Sequence, residues 1–100
     1  MKEGKAEQEK VIFRAWIYGC EVIALFPEIA FDTIGYNCQS YMHVGQHGAA
    51  NPNSILSDTR PARPDEYRKL YKELTDMGYD LKIIKRFRYK HQQIRMNMYK

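Results

Sequence analysis

The sequence predicts an α+β fold: a small curved antiparallel sheet, three strands then a helix then a further strand, with one amphipathic helix packed on one face. Three observations carry that reading. Two β-branched and aromatic runs, Val11–Ile17 and Val22–Phe26, are parted by a short connection containing Gly19. A stripe with the period of an α-helix lies between Pro64 and Gly78, and the period switches to two from Tyr79 onward. The length of 100 residues, 44% of them hydrophobic, suits one small core and excludes a second domain. Thirteen per cent aromatics with only six Gly and four Pro set aside disorder and low-complexity classes.

Residues 1 to 10 alternate Lys and Glu without apolar periodicity and read as a flexible lead-in to a domain over 11–90. In the first hairpin Val11, Phe13, Ala15 and Ile17 share one face, and Ile12, Arg14, Trp16 and Tyr18 the other. The second strand, Val22 to Phe26, is apolar on both faces, as a central strand is, and Pro27 ends it. Residues 27–37 read as a loop. Cys38 to Val44 alternates again and forms the third strand, which runs out into a loop from Gly45 to Asn53. Pro64 suits the first helical position, Asp65 and Glu66 favour the positive end of the helix dipole, and Tyr67, Leu70, Tyr71, Leu74 and Met77 form the buried stripe. Gly78 takes the left-handed stop. From Tyr79 to Lys90 the odd positions are mainly apolar and the even ones basic, with Ile84 and Lys85 as exceptions, which predicts a strand with one basic face. Residues 91–100 read as a basic tail or a short helix.

Charge is distributed unevenly. Residues 1–81 hold nine Lys/Arg against twelve Asp/Glu, whereas 82–100 hold seven Lys/Arg and no acid. A block of one sign attracts polyanions whatever the whole-chain average of +4. On an extended strand, alternate residues lie roughly 6.5 to 7 Å apart, near the spacing of successive phosphates, and Phe87 or Tyr89 could stack a base. The candidate binding residues are therefore Lys82, Arg86 and Arg88 on the basic strand. His43, Gln46, His47, Ser57, Thr59 and Arg60 join them from the loop region, where imidazoles, an amide, hydroxyls and a guanidinium surround exposed backbone. Function is expected on the face of the sheet that the helix leaves uncovered.

Other chemistries are weaker. Cys38, His43 and His47 with Cys20 could supply metal ligands, but a His-x3-His pair needs a helix to aim both rings at one ion, and glycines flank the second histidine; no metal and no cofactor is expected. His43 and His47 could act as acid and base in a metal-independent ribonuclease or phosphodiesterase, although nothing in their spacing enforces it. Two cysteines are too few for a disulfide scaffold, and no run reaches the 18 or so apolar residues of a membrane span. The eight tyrosines suit an interface, so a homo-oligomer is expected.

The segments Glu21–Ile29 (EVIALFPEI), Ser40–Ala50 (SYMHVGQHGAA), Thr59–Tyr67 (TRPARPDEY) and Met77–Arg86 (MGYDLKIIKR) together resemble a family of small uncharacterised proteins encoded by phages and other mobile elements, over residues 11 to 88. That resemblance implies no residue roles. It implies a context: an inhibitor, a regulator or a ligand-sequestering counter-defence factor working in the host cytoplasm. The expectation is thus a non-enzymatic binding protein for a phosphate-bearing small molecule or nucleic acid. A protein–protein inhibitor of an acidic host protein is the second reading, and the small nuclease the third.

Overall fold

The computed structural model describes residues 8–19, 21–31, 37–42 and 46–98. Its strands and helices follow in the order β1 (Glu9–Trp16), β2 (Val22–Ala30), β3 (Cys38–Met42), β4 (Gln46–Ala50), α1 (Pro52–Asp58), β5 (Thr59–Pro61), α2 (Pro64–Asp76), β6 (Leu81–Ile83) and α3 (Tyr89–Asn97). The α+β class holds. The sheet is open, with neighbours in the order β4-β3-β2-β1-β5, all antiparallel. β6 adds to β1 in parallel, Glu9 opposite Leu81 and Val11 opposite Ile83.

Alternation along β1 sorts two cores. Val11, Phe13 and Ala15 join Val22, Ala24 and Phe26 of β2 and Tyr41 of β3 on one face, where Leu70 and Leu74 of α2 cover them. Fully burying a side chain such as Leu74 or Phe26 is worth about 1.5–3 kcal/mol, which is why the apolar stripe positions α2. Glu66 closes the start of that helix by accepting from the Arg63 N–H at 2.8 Å, and Gly78 closes its end at φ 109°. Met77, expected on the stripe, is exposed, because the helix has already ended at Asp76.

The opposite face was expected to be bare, and it is covered. Ile12, Ile23, Leu25, Cys38 and Ala50 are buried there beneath Ile55, Ile84 and Phe87. α3 packs on the same side: Arg95 Nη1 donates to the Pro27 carbonyl at 2.6 Å, and its charge is felt by the Cys38 thiol. Pro27 does not end β2 either. A register shift between Phe26 and Ala30 accommodates the proline, which has no N–H for the ladder, and the strand runs on to Ala30.

Three elements fall where a loop was expected. β4 pairs with β3 from Gln46 opposite Met42 to Ala50 opposite Cys38. α1 starts at Asn51, whose Oδ1 accepts from Asn53 N at 3.0 Å with Pro52 in the first turn, and β5 pairs with the end of β1. At the front, Glu9 and Lys10 belong to β1 rather than to a lead-in.

The long basic strand is corrected most. Only Leu81–Ile83 is strand, and residues 84–88 are irregular before α3 begins. Tyr79 and Leu81 pack with the α2-side core, whereas Ile84 and Phe87 pack with the other. The chain therefore rounds the sheet edge between them, and a strict period of two cannot survive that crossing.

Candidate anion site

The crossing gathers the C-terminal cations. A cavity of about 350 Å³ is lined by Lys82, Lys85, Arg86, Arg88 and Lys90 of the crossing segment, by Lys10 of β1, and by Ile84 and His91. Backbone geometry places them: the parallel rungs of β6 bring Lys82 beside Lys10, the irregular stretch carries Arg86, and Arg88 immediately precedes α3, its backbone N–H capped by His91. Lys82, Lys85, Arg86, Arg88 and Lys90 are all exposed, and among the described residues none of them has a carboxylate within 4.0 Å. Lys10 alone is paired, its Nζ 3.0 Å from Glu28 Oε2.

His91 forms the floor. It is 2% exposed, its Nδ1 accepts from the Arg88 N–H at 2.9 Å, and its Nε2 lies 3.7 Å from Glu28 Oε2. Burial pushes its pKa below the ordinary imidazole value; Glu28 opposes that shift, and Lys10, Lys90 and Arg95 add to it. The ring is therefore neutral at pH 7 with its proton on Nε2. An imidazole whose basic nitrogen is held by backbone is a cap and a wall, not a general base.

The expected site residues divide. Lys82, Arg86 and Arg88 come together in the cavity. Thr59 and Arg60 are used internally. Thr59 is 4% exposed, its Oγ1 donating to Ile55 O at 2.6 Å and accepting from Arg14 Nε at 2.9 Å. Arg60 grips Glu66 through two hydrogen bonds of 2.8 and 2.6 Å. Ser57 Oγ donates to Asn53 O within its own short helix. Gln46 and His47 stand on β4, the sheet edge opposite the one that β5 and β6 share, with their side chains outside the described residues; His43 lies outside them altogether. Lys10, Lys85, Lys90 and His91 were missed. The acid-free block contained Lys85 and Lys90, but Lys10 needed the β1–β6 pairing, and no local signal marks His91.

Among the described residues no three His, Cys, Asp or Glu groups gather as a metal site. Burial raises the Cys38 thiol to about 11, which keeps it protonated and unreactive. No helix among the described residues is long and apolar enough to cross a membrane. No family model, no curated protein and no solved structure matches the chain.

Proposed function

We propose that the protein binds a phosphate-bearing small molecule in the cavity between β6 and α3. The observation that carries this reading is the set of five cations from one nine-residue segment that lines a single concavity with Lys10, the five having no carboxylate partner among the described residues. Clustering like charges costs free energy in the empty protein, and an anion held by several of them at once relieves that cost. Concavity favours a small ligand over a nucleic-acid strand. A backbone track needs cations repeated along an extended element, and β6 is three residues long. Sequestration of such a ligand is the role this reading suits among those the resemblance to small phage-borne proteins implies: inhibitor, regulator or ligand-sequestering factor.

The test is calorimetric titration of the full chain with inorganic pyrophosphate at low salt, repeated with salt raised from about 50 to about 200 mM. Saturable binding that weakens with salt and is lost in Arg86→Ala/Arg88→Ala, with its thermal melt intact, is expected. Absence of pyrophosphate binding to the parent protein at low salt would overturn the proposal.

A further inference from the structure

A second concavity opens on the other side of the crossing segment. β5 and β6 approach each other along the outer edge of β1, and both leave it near the middle: Ala62 N donates to Phe13 O at 3.1 Å and Ile84 N to Val11 O at 2.9 Å. The gap between the two departing chains is a cleft of about 450 Å³ walled by Phe13, Pro61, Ala62, Tyr67 and Ile83. Ile84 and Lys85 line this cleft and the basic cavity alike. Phe13 and Tyr67 are stacked with ring centres 4.5 Å apart and planes 9° from parallel, so each covers one face of the other; Phe13 is buried, which leaves the half-buried Tyr67, held in place by that stack, as the ring of this pair with surface to offer a ligand.

From this shared wall we infer that the ligand is a nucleotide, its phosphates in the basic cavity and its base in the aromatic cleft, with the backbone at Ile84 and Lys85 between them. The inference rests on the anion-binding reading and adds the half of the ligand that the cations cannot select. Inorganic phosphate or a sugar phosphate would leave the aromatic cleft empty. A nucleobase has the planar faces that stack on aromatic rings, and such stacking contributes about 1–3 kcal/mol per base. Lys85, common to both hollows, stands where the link between base and phosphates would pass.

The experiment compares ligands on the unmodified 100-residue chain, at one salt concentration: pyrophosphate, adenosine, the diphosphates of adenosine, guanosine, cytidine and uridine, and a short 5′-phosphorylated single-stranded oligonucleotide. At least one nucleoside diphosphate should bind about 5- to 150-fold tighter than pyrophosphate, the range that stacking supplies, with adenosine far weaker than adenosine diphosphate. Tyr67→Leu should remove that advantage and leave pyrophosphate affinity unchanged; Ala62→Phe, which fills the cleft from another element, should do the same. If pyrophosphate binds and no diphosphate binds tighter, the nucleotide assignment is overturned while the anion site stands. If the oligonucleotide outcompetes every diphosphate, the free-nucleotide assignment is overturned in favour of a strand. If pyrophosphate fails too, the anion reading itself falls.

Discussion

Two arginine-bearing regions of this small protein have opposite fates. Around the start of α2, Arg60 and Arg63 converge on Glu66, which accepts from Arg60 twice, accepts the Arg63 N–H, and is held down to about 2, chiefly by the hydrogen bonds from Arg60. Between β6 and α3, Arg86 and Arg88 stand beside three lysines with no carboxylate among them. The first arrangement ties β5 to α2 and leaves that charge satisfied. The second leaves charge available to a ligand. Cations of the same kind thus either tie elements together or, on the proposed reading, await a ligand, according to whether the fold supplies their anion.

The most severe way to test that contrast is to remove the unpaired guanidiniums. Arg86→Ala/Arg88→Ala should weaken pyrophosphate by about 100-fold or more, since each charge-assisted hydrogen bond contributes about 1.5–3 kcal/mol, while Arg60→Ala leaves pyrophosphate affinity unchanged. Equal losses from the two variants would erase the distinction. Next comes Arg95, which belongs to the C-terminal basic block yet is 3% exposed and donates to Pro27 O. Arg95→Ala should cost about 2–4 kcal/mol of stability in urea unfolding, from the orphaned carbonyl and the lost packing of its stem. A loss under about 0.5 kcal/mol would put it with the surface cations.

Smaller effects separate the two regions by pH. Burial depresses the folded-state pKa of His91, so the stability tied to its neutral form is complete above the ordinary imidazole value of 6.5 and is lost as pH falls through the lower folded value. His91→Gln should flatten that part of a stability–pH curve, and an unchanged curve would remove His91 as the cap of α3. Glu66 acts in a more acid window: its contribution is present above 4.5 and disappears as pH falls through about 2. Glu66→Gln should lower the melting midpoint at pH 7 and leave it nearly unchanged near pH 2; this is the smallest effect, because solvent screens a surface ion pair.

Much of the architecture was legible because local chemistry and tertiary packing agree. The Pro64 start, the Leu70 and Leu74 stripe and the Gly78 stop specify α2 on their own, and the two-sided apolar run of β2 marks a central strand. Legibility failed where contacts distant in sequence decide. Gly48, Ala49 and Ala50 carry no strand signal, yet β3 supplies a ladder for them. Phe87 matched the parity of Leu81 and packs against the opposite face, since the chain turns around the sheet edge between them. The charge block grouped Lys82, Arg86 and Arg88, which do line one cavity, but it placed them on a long strand that the fold does not form. Arg60 and Thr59 looked available because Glu66 and Arg14 are brought to them only by the fold.

The parallel pairing of β6 with β1 dictates an order of assembly. Gln8 and Asp80, 72 positions apart, meet through a side-chain hydrogen bond just before the first rung, so this closure is among the most expensive in chain entropy and belongs late in folding. On a ribosome, β1 must wait with half of its outer margin unpaired until β6 has emerged. The proposed anion cavity is complete only then, because Lys10 of β1 becomes the neighbour of Lys82 on β6, and of the cations that follow it, in that same event.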